Sequence, residues 1–163
     1  MPATYEPIAT TTLSSAASSI TFSSIPATYT DLRLVLVPAA GSNGIMTFRF
    51  NSDSSSLYSH TYLRGNGTNA ESSYDVNQTS IEDYSTMGSA RPGLITLDLF
   101  SYAGSTNKTC LITRAYNQNL NPGSVWTTVA LYRSTSAITS IVAIHNAQFA
   151  SGTTATLYGI LKA

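Results

Sequence analysis

Charge is what this chain has least of. Acidic and basic side chains together make up 10% of its 163 residues and cancel to a formal net charge of zero, against about 25% in typical soluble domains. That argues against nucleic acid as the main partner, because phosphate recognition rests on clustered Lys and Arg that release counterions. The basic residues here are scattered. Cysteine is nearly absent too: Cys110 stands alone, so neither a disulfide framework nor a thiolate metal centre can be built, and a buried structural thiol is expected. His60 and His145 are the only histidines and lack ligand spacing. No nucleophile elbow, phosphate loop or dinucleotide fingerprint occurs. Ser105 to Lys108 matches Ser-x-x-Lys only formally, in a turn and without its companion motifs. No apolar run approaches the roughly 20 residues that span a bilayer, and the first residues lack the basic and apolar regions of a secretory signal. These absences lead to an expected non-enzyme with no cofactor and no membrane contact, made in a cytoplasm. Turnover lost on mutating His60 or Asp83 would reverse that expectation.

Hydroxyls supply the missing polarity. Ser and Thr make up roughly three residues in ten, and with 10 Tyr they give high β tendency and few strong helix formers. A neutral, hydroxyl-rich surface lacks the charge that keeps monomers apart, so packed copies are expected.

Alternation organises the chain around Asp31 to Val37. Leu32, Leu34 and Leu36 share one face of an extended segment and need cover from other strands, which makes this a central strand of a sandwich or barrel. Further strands are expected at Ser19–Phe22, Ile45–Asn51, Leu57–Arg64, Leu94–Ser101, Lys108–Tyr116, Val125–Tyr132, Ile138–Ile144 and Thr154–Leu161. Asn43-Gly44 reads as the turn of a hairpin joining the second and third of these nine. The fold class is an all-β antiparallel sandwich of jelly-roll type. The expected core is Ile20, Phe22, Leu32, Leu34, Leu36, Phe48, Phe50, Ile95, Leu97, Leu99, Ile112, Val129, Leu131, Val142, Leu157 and Ile160.

Two regions fall outside that pattern. Residues 1–18 hold two prolines and a Thr-rich tract and read as an extended N-terminal arm before a single domain at 19–163, with Tyr5, Ile8 and Leu13 able to lie along a neighbour. Between Gly65 and Gly93 alternation fails, suggesting a long functional loop with one helical turn near Ser80 to Met87. The strand entering that loop places Tyr58, His60, Tyr62 and Arg64 on one face. Aromatic rings stack on sugar rings and Arg or Asn bonds hydroxyls, so this face is a candidate glycan or partner site; packing of the same rings beneath the long loop is the alternative.

The runs from Ser18 to Leu34, Tyr58 to Gly67 and Gly152 to Ile160 together resemble small virion structural proteins of tailed phages, especially those of cyanobacteria. The resemblance spans nearly the whole chain and implies a β-sandwich virion component. The favoured role is capsid decoration or cement on the major capsid protein, with Tyr5, Ile8 and Leu13 as the contact, because 163 residues suffice for one sandwich and leave no room for the shaft and attachment domain of a fibre; the alternative is a tail fibre or tail-associated protein recognising host glycan. Either role fits a homo-oligomer, with a trimer expected.

Overall fold

The structure, a computed structural model, describes residues 4–39, 44–83, 93–117 and 123–161. These residues form twelve strands and no helix, in chain order β1 Tyr5–Thr12, β2 Ala17–Phe22, β3 Asp31–Val37, β4 Met46–Phe50, β5 Tyr58–Gly65, β6 Ala70–Gln78, β7 Ile81–Asp83, β8 Gly93–Phe100, β9 Lys108–Tyr116, β10 Ser124–Tyr132, β11 Ile141–Phe149 and β12 Thr154–Ile160. They pair antiparallel in two sheets. One has eight strands in the order β1-β12-β3-β8-β9-β10-β5-β6, the other four in the order β2-β11-β4-β7. The all-β antiparallel sandwich of jelly-roll type is thus the observed architecture.

The core lies between the sheets and is built by strict alternation. Leu32, Leu34 and Leu36 of β3 face inward beside Leu99, Leu97 and Ile95 of β8, and Met46, Phe48 and Phe50 face them from β4. Twelve of the sixteen expected core residues are buried, Ile20, Phe22, Ile112 and Leu157 among them. The four exceptions are slips of one position. On β10 the inward side is Trp126, Thr128, Ala130 and Tyr132, leaving Val129 half exposed and Leu131 partly so. Both sides of that strand carry apolar residues, so its own pattern is ambiguous, and its neighbours β5 and β9 decide. On β11 Ile141 and Ala143 take the core positions in place of Val142, and on β12 Leu157 and Gly159 take them in place of Ile160.

Three larger expectations change. The N-terminal stretch is extended, but as β1, the edge strand of the large sheet hydrogen-bonded along β12. Ile8 and Leu13 pack partly buried against the chain's own core, and Tyr5 sets its ring against Tyr158. An internal partner removes the need for a foreign one. The β3 and β4 runs form no hairpin: β3 joins the large sheet and β4 the small one, and Asn43 lies outside the described residues. The supposed long loop contains β6 and β7, with Ile81 of the expected helical turn in a strand; residues 84–92 lie outside the described set. Alternation failed to reveal β6 because this edge strand is exposed almost throughout, so neither face needs apolar side chains.

The sheet edge at β1 is tied in by a close approach. A Cβ on Gly159 would meet the Tyr29 ring at 2.3 Å, and Tyr29 donates from its hydroxyl to Glu6 at 3.2 Å. Glycine is required there because the ring lies flat on the strand.

Candidate functional site

The candidate face Tyr58, His60, Tyr62 and Arg64 does share one side of β5, but that side points inward. Register then sorts its members into rows running across the large sheet. One row reads Leu99, Cys110, Ala130, His60 and Asp75; the next reads Leu97, Ile112, Thr128, Tyr62 and Ser73; the third reads Ile95, Arg114, Trp126, Arg64 and Glu71. Within each row, aliphatic residues lie toward β8 and polar ones toward the β6 edge.

Tyr58 and His60 belong to the covered end. Tyr58 is fully buried, stacked on Tyr132 with centroids 4.6 Å apart and set beside Phe50 at 6.2 Å. Its hydroxyl accepts from Phe50 N at 3.1 Å and faces the Asp53 carbonyl at the same distance. Asp53 in turn accepts from the Tyr132 hydroxyl at 2.7 Å, and hydrogen bonds from Ser55 and Tyr132 hold its carboxyl below the usual carboxylate range. Burial pushes the Tyr58 phenol well up. His60 is 3% exposed with Nε2 3.5 Å from Asp75 Oδ2. Burial lowers its pKa, opposed by the charges of Asp75 and Glu82, so near neutrality the imidazole is uncharged. Both side chains are taken up by the core, and neither forms part of an exposed aromatic face.

Tyr62 and Arg64 belong to the other end. The Tyr62 ring sits 5.1 Å from that of Trp126, and the Arg64 guanidinium lies over Trp126 at 4.8 Å, a cation–π contact. Arg64 Nη1 donates to Glu71 Oε1 at 2.7 Å with both side chains partly open to solvent, while its Nε is buried and donates to nothing among the described residues. Trp126 is buried yet stands apart from the core cluster. Beside it the buried Arg114 places its guanidinium 5.4 Å from the Tyr116 ring centroid.

The turn following β5 is self-contained. Asn66 Oδ1 accepts from Thr68 N at 3.0 Å and Asn69 N at 2.7 Å, with Gly67 at φ 83°, so the Asn66 carbonyl oxygen holds the hairpin. Trp126, Glu71 and Arg114 escaped the sequence reading because they lie on three other strands. The signal available was the alternation of β10, which sets Trp126 opposite Val125 and Thr127.

Cys110 is buried as expected, its thiol pushed up to about 12 by burial. Lys108, formally of the Ser-x-x-Lys match, is buried, with Nζ donating to the carbonyls of Gly104 and Thr106. It holds its own turn. Among the described residues no cluster of three or more His, Cys, Asp or Glu could hold a metal.

No known family model matches the chain, and no curated protein does. Among solved structures it is similar to the galectin LEC-6 of Caenorhabditis elegans, with 13% identity over 91% of this chain and 94% of that one and a TM-score of 0.31.

Proposed function

We propose that this chain is a non-enzymatic recognition protein of a virion that binds a neutral saccharide at the β6 edge of the inner face, where Arg64 and Glu71 reach solvent. The observation that carries the reading is the ion pair of Arg64 and Glu71 laid over Trp126, with Tyr62 against the same ring. A sugar hydroxyl both donates and accepts, and a guanidinium beside a carboxylate offers it both partners. Because Glu71 already balances the charge of Arg64, the pair suits a neutral ring better than an acidic one. Tyr62, half-buried at the border of the row, supplies an apolar face for a pyranose to lie on.

Titration calorimetry of the purified protein against a panel of neutral and acidic saccharides tests this. Binding of a neutral sugar, weakened at least about tenfold by Tyr62→Ala, is expected. No binding by any member of the panel would reject the reading.

Capsid decoration is the second reading. Its supposed arm is occupied within the fold, but a different surface, the outer face of the eight-stranded sheet, exposes large apolar residues such as Tyr74 and Leu63. Locating the protein on purified particles by electron microscopy separates the two: density spread over the head supports decoration, density confined to the tail supports saccharide recognition.

A further inference from the structure

Every large hydrophobic residue recorded as exposed among the described residues lies on one surface, the outer face of the eight-stranded sheet. Leu63, Tyr74, Val76, Leu94, Val125 and Val129 form its centre. Tyr5, Val37 and Phe100 extend it toward β1. Ordinary monomers scatter such residues. Here the pairing register aligns them: Val129 stands between Leu111 and Thr61, and Thr61 stands beside Tyr74.

Charge is missing from the same surface. The outward positions of β9, β10, β5 and β6 are Thr, Ser, Val, Leu, Ala, Gly and Tyr, with Asn77 at the bulge of β6, and none of them is charged. Among the described residues, charge on the outward strand positions is confined to Asp31, Arg33 and Asp98, toward β3 and β8, where Arg33 and Asp98 form a two-pronged pair, Nη2 to Oδ2 at 2.8 Å; Arg133, just past β10, lies at the rim and donates to Asn77 at 2.7 Å. Two depressions mark this area. One of about 220 Å³ is walled by Thr61, Tyr74, Val76, Thr109, Val129 and Leu131, with His60 and Asp75 also lining it, and one of about 460 Å³ lies beside Leu94, Ala115 and Val125.

We infer that the outer face of β8, β9, β10, β5 and β6 is covered by the same face of a second copy of this chain, giving a two-fold dimer of back-to-back sheets. Area supports that occupant. Five strands at about 4.8 Å spacing and eight or so residues at about 3.4 Å span roughly 650 Å² in projection, and side-chain relief brings this to the roughly 800 Å² per partner of a stable interface. Self-pairing also suits the chemistry. An isologous contact sets each residue type against the patch that contains it, and a patch whose one strand charge, Asp98, is already paired with Arg33 meets its copy with little like-charge repulsion. Valine and threonine side chains on sheets about 10 Å apart interdigitate as in a sandwich core. A flat face that pairs with itself closes at two copies, in place of the expected trimer. The inference does not depend on saccharide binding, which occupies the opposite face of the sheet.

Sedimentation of the purified full chain tests it. The wild type should sediment as a dimer at micromolar concentration, and Val129→Lys should raise its dissociation constant at least about 100-fold, since the two-fold axis buries the unpaired charge twice. Far-UV circular dichroism of that variant should stay at the wild-type spectrum, because Val129 is half exposed in the single chain, and its unfolding midpoint should equal that of the wild type diluted below its dimer dissociation constant. Val37→Lys, on the same face but outside the five strands, should remain dimeric. A wild type that stays monomeric up to about 100 µM would overturn the proposal and leave the face to a different protein; a dimer untouched by Val129→Lys would overturn it by placing the contact elsewhere.

Discussion

Tyr58 and His60 share a strand, a face and an alternation with Tyr62 and Arg64, yet the two pairs meet opposite fates. The first pair lies where β4 and β7 of the small sheet come down on the large one, against Phe50 and the charge of Glu82. The second lies beyond the core cluster, around a tryptophan held by its own row. What a strand face does is therefore set by what covers it, and residue type alone does not say. Replacing one member from each end exposes the difference. Tyr58→Ala should cost about 3–5 kcal/mol, the range for deleting a large buried ring, because it empties the stack with Tyr132 and strips Phe50 N of its acceptor. Urea denaturation measures this. A loss below about 1 kcal/mol would mean that the ring is not core.

A smaller effect sharpens the comparison through pH. His60 and His145 are both buried, and both have lowered pKa values: His60 by burial against the opposing charges of Asp75 and Glu82, His145 by burial and the nearby charge of Arg114. The unfolded chain therefore takes up protons at these sites first. Stability is full above the unfolded value of about 6.5 and falls as pH drops below it, by at most about 1.4 kcal/mol per pH unit for each imidazole, until the folded values are reached. Asp53, with its lowered pKa, loses its contribution only in the lower carboxylate range, so the two windows are distinct. Thermal midpoints should drop between pH 7 and pH 5.5, and His60→Gln should flatten that drop; an unchanged slope would show that His60 is hydrated rather than covered.

The legible part of this fold was the part in which alternation and burial coincide. Leu32, Leu34 and Leu36, or Met46, Phe48 and Phe50, can face only one way, since their other sides carry Arg33 or Thr47 and Arg49. On β10 both sides are passable, Val129 and Leu131 against Ala130 and Tyr132, and only the neighbouring strands decide. The edge strands β1 and β6 were illegible for a different reason. They contribute little apolar surface, and their evidence is backbone pairing with β12 and β5, which leaves no mark in side-chain pattern. Half of the site could be seen because Tyr62 and Arg64 are two apart on one strand. Glu71, Trp126 and Arg114 enter through register, a relation between strands that spacing along one of them does not contain.

The smallest effect on stability should come from Glu71→Gln, and it separates the two ends most sharply. Glu71 is half exposed and Arg64 is a third exposed, so their ion pair is screened by solvent and belongs with surface pairs worth about 0.2–1 kcal/mol. Unfolding of the variant should therefore be nearly that of the wild type. In the proposed site, saccharide affinity should nonetheless fall several-fold, because there the carboxylate would accept from a sugar hydroxyl and it is the group paired with the guanidinium over Trp126. Gln keeps the shape and one acceptor oxygen but loses the charge-assisted bond, leaving Arg64 free to swing into water. A thermodynamic cycle with Arg64→Ala measures the coupling: the two substitutions should be less than additive in binding, since each disables the same pair, and close to additive in stability. Additive losses in binding would mean that Glu71 and Arg64 act apart. A stability cost near that of Tyr58→Ala would make this end of the face core after all.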